Sequence, residues 1–551
     1  MPAYPDLAVL RSSLDDAVAR DDHAAVIATL YPVVHLIALE DGVGLRQLIA
    51  GLPEQLWHDD IVLTSALGSS YRSAGSPPGS AALAYFRAAE NAIAKSETPL
   101  HPSCLVAVLT AHSAALRTQG RLDEAVAKLT QAGRLLEEQS HGPTFVQHSA
   151  RHALELGVAE VMIGRLDSAR HHLEYALGLA ESNLTVSEQV EGMGTLALAA
   201  YSQGDLATAD RMLASIVELD PPDHVTSSGF ACAGYAADIL LATDRYDAER
   251  LPRLVENMLL ASTHTEWEPF AGVVAAYART LAGDHIEALD LLQRAHQRYL
   301  RWSPPGIGID VGELLRADIL SLLDRGDEAF EVLSRLNPHE RHVLCPERLM
   351  ARIALQHGDL TGADQALSDC ELLGAQHSSR TIIDVHLLRG AIEMERGDLK
   401  RSDMNVDRAF HTMARTGVRS PLRHIPPALL ARVAKRALER TQSAEVQRIL
   451  ERVAQATDGH VDERDPLSER ERMVLIYVER ELTVAQIAAE LFISPNTVKT
   501  HLRRLYSKLG VATRDEAIRK ARSLGLHLDP GPEITRRSPG IRGASPEDPV
   551  V

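Results

Sequence analysis

The sequence predicts an all-α chain: a long superhelix of helical repeats followed by a small four-helix domain. Three observations carry that prediction. Aromatic residues make up only 4% of the 551 positions, and an Ala- and Leu-rich composition with few β-branched runs favours helix over sheet. A turn phrase recurs between Gly79 and Ser402 at steps of 41, 44, 40, 40, 39, 41, 34 and 39 residues. The stretch Leu467–Leu524 divides into four short amphipathic segments, each opened by a capping residue. A chain of this length exceeds one ordinary core. The expected divisions are 1–78 as an N-terminal helical capping region, 79–458 as the repeat array, 459–466 as a linker, 467–527 as the terminal module and 528–551 as a disordered tail.

Within 1–78, VARDDHAAVIATLYPVV and GLRQLIAGLPEQL read as helices. The repeat phrase then follows: GSAALA at Gly79, GRLDEA at Gly120, GRLDSA at Gly164, GDLATA at Gly204, DRYDAE at Asp244, GDHIEA at Gly283, DRGDEA at Asp324, GDLTGA at Gly358 and GDLKRS at Gly397. Each phrase lies between two stretches with apolar residues at three- and four-residue steps, as in Ala169, Leu173, Ala176 and Leu177. Glycine adopts the left-handed conformation that ends a first helix, the Asp caps a second, and a small residue five positions after the glycine lets the two approach closely. A regular period of this size signals stacked helix pairs, since no single pair buries its apolar face alone. From Asp21 to His460 the pattern resembles tetratricopeptide repeats with a lengthened step. It is similar to the repeat domain of the large maltose-regulator-type activators of the LuxR family.

PPALLARVAKRALER and SAEVQRILERVAQA form a last helix pair. The polar DGHVDERDP then reads as a linker, and the Pro- and Gly-rich stretch after His527 reads as disordered. Cys104, Cys232, Cys345 and Cys370 are scattered without a CxxC pair, which argues against a disulfide framework or a zinc site and suits a reducing cytoplasm. No signal peptide is visible, and no apolar run approaches the roughly 20 residues that span a bilayer. The chain carries a net charge of −18, yet 467–524 holds eleven Lys/Arg against seven Asp/Glu and the tail after it three against four, which leaves −21 for the rest. A basic module on an acidic body suggests that one part meets phosphates. It also suggests that the linker holds the module clear of the body.

In the module, Ser468 with Glu471, Thr483 with Gln486 and Thr513 with Glu516 have the spacing of capping boxes. The third helix opens with Ser494 as cap and Pro495 at its first position, and Gly510 follows its end. Its apolar face, Val498, Leu502, Leu505 and Leu509, should pack on Val474, Leu475, Val478, Ile487 and Leu491. The opposite face carries Asn496, Lys499, Thr500, Arg503 and Ser507, with Arg504 and Lys508 at its edges. A cationic, hydrogen-bonding face of this width suits a major groove, although such a stripe is also the common pattern of a solvated surface.

ISPNTVKTHLRRLYSKLGVATRDEAI, with LSERE before it and QIAAEL in the second helix, closely resembles the LuxR-type helix-turn-helix signature. The resemblance implies that Lys499, Thr500 and Arg503 meet bases and that Ser494, Thr497 and Lys508 meet phosphates. His501 matches the motif but is expected to pack. Met473, Glu481, Val484 and Gln486 depart from it, and Glu481 stands where a glycine is usual at the turn between the first two helices. Ala517, Ile518, Ala521 and Leu524 form a stripe on the fourth helix that either pairs two copies or packs on its own module.

No GxxxxGK[ST] phosphate loop occurs, and no catalytic set or cofactor motif emerges. His171 and His172 are adjacent and diverge, and His339, His342 and Cys345 lack a completing ligand, so no metal is expected. The reading is therefore a cytoplasmic, non-enzymatic transcription regulator, an activator by resemblance. Its expected partners are double-stranded DNA, RNA polymerase, a protein or small-molecule effector on the repeats, and a second copy of itself, with no membrane. The competing reading is an interaction scaffold whose terminal helices dock a protein.

Overall fold

The computed structural model describes residues 4–73, 81–96, 100–138, 143–245, 247–323, 325–336, 345–372, 378–457, 469–480, 482–491, 495–509, 511 and 513–523. The described residues are helical with no strand. The chain divides into two compact units, Met1–Asp458 and Gly459–Val551.

In the larger unit, Leu7–Ala19, His23–Leu30, Val34–Glu40 and Gly42–Ala50 enclose a core around Leu14, Leu30, Ile37 and Leu45 that Ile61–Ser69 joins through Leu63 and Leu67. Ile61–Ser69 packs on Ala82–Lys95, so the first helix pair straddles residue 79. The pairs then follow one another, among them Pro102–Thr118 with Leu122–Glu137, Pro143–Ile163 with Leu166–Gly178, and Val186–Ser202 with Leu206–Leu219. The array ends with Ser379–Arg396 against Leu399–Thr416 and Pro427–Leu438 against Ala444–Thr457. These are tetratricopeptide-like repeats; one apolar core joins residues from Leu122 to Val274 with residues from Cys345 to Val453, and smaller clusters around Ile319 and Leu333 fill the pairs between.

The phrase that marks each pair works as its chemistry suggests. Gly120, Gly164, Gly204, Gly283, Gly358 and Gly397 all have φ between 70° and 85°. At each, the next residue's N–H reaches back to a carbonyl five positions earlier, as Asp205 does to Ala200 at 2.9 Å and Asp398 to Glu393 at 2.9 Å. This closure satisfies carbonyls that the helix end leaves open. Asp205, Asp359 and Asp398 then cap the second helix through their carboxylates. Where Arg121 or Arg325 holds that position, the guanidinium instead forks onto Glu124 or Glu328, three residues on. The small residues at the fifth position, Ala125, Ala169, Ala209, Ala288, Ala329, Ala363 and Ser402, are all fully buried.

Two copies depart from the pattern. Gly79 lies outside the described residues, and Ala84 is exposed because the helix starts at Ala82 and turns Ala82 and Phe86 inward. Asp244 does not replace a turn glycine. It is the last residue of Cys232–Asp244, its carboxylate is buried against Arg380, and the next helix starts only at Leu251.

The winding is tight enough for distant pairs to touch. Ser303 N–H donates to the Gly120 carbonyl at 2.9 Å, and Asp123 N–H to the Ser303 carbonyl at 3.2 Å. Ionic clusters are buried between the helices. Arg117, fully buried, is paired with Glu155, Glu191 and Glu266, and Arg72 joins Glu155 at 2.6 Å and Glu191 at 2.7 Å. A second cluster, around Asp318 and Asp384, lies further along. Buried ions persist only when paired this closely, because desolvation of a lone charge is prohibitive.

Candidate nucleic-acid interface

Helix one of the terminal unit is Glu469–Glu479, helix two Val484–Glu490, helix three Pro495–Leu509 and helix four Arg514–Ser523. Two of the three capping boxes are present in full. Thr483 N–H donates to Gln486 Oε1 at 2.9 Å while the Gln486 N–H returns to Thr483 Oγ1 at 3.3 Å. Thr513 N–H donates to Glu516 Oε2 at 3.2 Å, and Glu516 N–H returns to Thr513 Oγ1 at 3.3 Å. Gln486 thus caps despite its departure from the signature. Ser468 of the third box lies outside the described residues, as do Glu481 and Gly510.

The apolar face of helix three packs as its pattern predicts. Val498 joins Val474, Val478, Ile487, Ala488 and Leu491. Leu505 and Leu509 join Leu475 and Ala517, and Leu502 touches both groups. His501 is 3% exposed, in keeping with a packing role. With that face buried, Lys499 and Arg503 are left exposed one helical turn apart. Asn496, Thr497, Thr500, Arg504, Ser507 and Lys508 also belong to helix three, but their side chains lie outside the described set, and Ser494 lies outside it altogether. On helix four, Ala517 is fully buried and Ile518 packs against the first group, so this half of the stripe serves its own module.

One contact that sequence reasoning missed fixes the frame. Arg514 counts in the sequence only as a positive charge, yet its Nε donates to the Val478 carbonyl at 3.1 Å and its Nη1 to the Leu482 carbonyl at 3.1 Å. Leu482 N–H also closes back on the Tyr477 carbonyl at 3.1 Å, the same closure seen at the repeat glycines. Helix four is thereby fastened to the turn that sets the angle between helices one and two. Elsewhere, His172 bonds Glu160 at 2.7 Å while His171 is exposed, and the two rings meet edge to face with centroids 5.8 Å apart rather than diverging. Cys345 is buried, and His339 and His342 lie outside the described residues.

Three short helices with the third presenting a cationic face, braced by a fourth, define a helix-turn-helix domain. Residues 465–521 match the family described as bacterial regulatory proteins, luxR family. Over 55 residues the chain is 51% identical to a probable transcriptional regulatory protein NarL of Mycobacterium tuberculosis (strain CDC 1551 / Oshkosh), covering 10% of this chain and 26% of that protein. Over 59 residues it is 48% identical to the HTH-type transcriptional regulator MalT of Serratia proteamaculans (strain 568), covering 11% of this chain and 6% of that protein. The chain therefore spans well under two thirds of the curated relatives it matches. Among solved structures, a Rap protein complexed with competence and sporulation factor aligns at 14% identity with a TM-score of 0.41, covering 57% of this chain and 99% of that one. The terminal segment is a luxR-family domain, and tetratricopeptide-like repeats precede it.

Proposed function

We propose that this chain is a DNA-binding transcription regulator in which helix three enters the major groove and the repeat array receives a protein or small-molecule signal. The observation that carries the reading is the exposure of Lys499 and Arg503 one turn apart on a helix whose other face is buried in its module. Arg503 is assigned to a base, since a guanidinium forks onto guanine O6 and N7. Lys499 is assigned as a less discriminating point charge. Ser494, Thr497 and Lys508 take phosphates, and Asn496, Thr500, Arg504 and Ser507 complete the face. Activation through RNA polymerase, action as a two-fold dimer and residence in the cytoplasm belong to the same proposal. Among the described residues no single helix is long and apolar enough to cross a membrane.

The test is genome-wide mapping of bound DNA, followed by anisotropy titration of the full chain on a recovered site. Lys499→Ala with Arg503→Ala should abolish specific binding with helicity unchanged. Retained affinity in that variant sinks the assignment.

A further inference from the structure

Between helices that run from Val186–Ser202 to Ser379–Arg396, with the Ser420 turn beside them, lies a cavity of about 140 Å³. This is close to the roughly 150 Å³ that holds one benzene. Val274, Val311, Leu314 and Phe270 supply apolar wall, and Arg348, Arg380, Arg423, Asp318, His424 and Ser420 supply the polar part, with Asp318 already engaged by two arginines. The charges around it do not balance. Asp318 binds Arg352 and Arg423, Asp384 binds Arg348 at 2.7 Å, and Asp244 binds Arg380. His424 Nδ1 lies 2.8 Å from Asp384 and its Nε2 accepts from Arg423 Nε at 3.4 Å, the arrangement of a neutral ring, and burial acts in the same direction. Four guanidiniums therefore face three carboxylates.

The cations are also fixed in place. Arg380 lies 4.4 Å from the Tyr201 ring centroid and Arg423 4.9 Å from that of Tyr277. Buried polar atoms remain without a hydrogen-bond partner among the described residues: the Ser420 hydroxyl, in a residue 2% exposed, the Nε atoms of Arg348 and Arg380, and one oxygen each of Asp244 and Asp384, so three donors stand against two acceptors. Unsatisfied buried donors next to an uncompensated cation are costly, and one acceptor-only anion relieves both. The apolar walls and the single excess charge select a monoanion with a small apolar body over a phosphate dianion.

We propose that this cavity binds a small apolar monocarboxylic acid, whose carboxylate accepts from Ser420 and the arginines while its body fills the Val311 side. The proposal deepens the reading of the array as a signal receiver and rests on it only for the consequence of binding, not for the binding itself.

The experiment is isothermal titration of the full chain, without DNA, using benzoate and hexanoate against benzamide, hexanol and inorganic phosphate. The acids should bind at least about tenfold tighter than their neutral isosteres, as expected when charge-assisted bonds are lost. Ser420→Ala removes a hydroxyl with no partner to lose. It should leave the melting temperature unchanged and weaken the acids by about tenfold. Val311→Phe fills the cavity without touching an ion pair and should abolish the binding heat with helicity intact. Equal binding of benzamide and benzoate overturns the proposal, as does unchanged binding in Val311→Phe, or no heat from either acid at millimolar concentration. DNA affinity measured separately on the same preparation shows whether the regulator reading fails independently.

Discussion

Arg514 forks across the turn of a neighbouring helix pair, donating from Nε to the Val478 carbonyl at 3.1 Å and from Nη1 to the Leu482 carbonyl at 3.1 Å. The Val478 carbonyl is among the groups the end of helix one leaves without partners, and the Leu482 carbonyl lies in the turn before helix two. The angle at which helix three is offered thus depends on a side chain from helix four. Arg514→Ala should cost about 1–3 kcal/mol locally, the range for losing a charged donor to part-buried acceptors. Arg514→Lys should recover little, because an ammonium cannot satisfy two carbonyls in fork geometry. Hydrogen exchange of the full chain checks this: amides of Arg514–Ser523 and of the Val484–Glu490 helix should exchange faster while the repeats stay unchanged. Equal protection in wild type and Arg514→Ala would show the fork to be idle.

Lys499 and Arg503 should separate in how they fail. Alanine at Lys499 is expected to weaken binding with little loss of discrimination at any base position, because a point charge tolerates several acceptors. Alanine at Arg503 should cost about 1–3 kcal/mol on the preferred site and relax discrimination at one base position. Titrations on a recovered site and on single-base variants distinguish the two. Identical behaviour of both variants contradicts the division of roles.

The repeat was legible because it is local. A glycine, a capping residue and a small residue five positions on are all read within one turn, and Ala125 through Ser402 are buried as that spacing demands. The packing face of helix three was legible for the same reason, as was the burial of His501. The buried ion clusters were not. Arg117 finds Glu266 across 149 positions and Arg423 finds Asp318 across 105, and neither follows the helical period of its own segment. Asp244 misled for a related reason: by spacing it looks like a worn turn glycine, and only the Arg380 that packs on it from the far end of the array explains it. Arg514 was hidden because a backbone carbonyl leaves no trace in side-chain pattern.

Two turn glycines offer a controlled comparison of local strain and winding. Gly397 has φ 83° with open space where a Cβ would go, whereas Gly204 has φ 81° and its Cβ would sit 2.7 Å from the Ser379 backbone nitrogen. Gly397→Ala should cost only left-handed strain, about 1–2 kcal/mol. Gly204→Ala should cost more, because backbone of a distant repeat must also shift. Urea unfolding of the full chain measures the difference. Equal losses would mean that the contact between windings yields freely.

Acid should loosen the first half of the array before it protonates the buried carboxylates. His148, beside the groove between the N-terminal helices and the first repeats, is pushed down to about 4 by burial and then by Arg151, His35 and His101. A histidine whose folded pKa lies below its unfolded value near 6.5 contributes stability that is fully present above pH 6.5 and is lost as pH falls toward 4. The shift corresponds to roughly 3 kcal/mol. His35, His112, His152, His386 and His424 are lowered as well, burial being the first cause in each, and they act in the same sense. Glu188, opposed by burial but held down to about 2 by Arg151 and His35, contributes stability above pH 4.5 that is lost only as pH falls from there toward 2. Melting temperature should therefore decline between pH 6.5 and 4, and His148→Asn should flatten part of that decline while leaving the steeper loss below pH 4 in place. A His148→Asn curve parallel to wild type through the upper window would remove His148 from the cause.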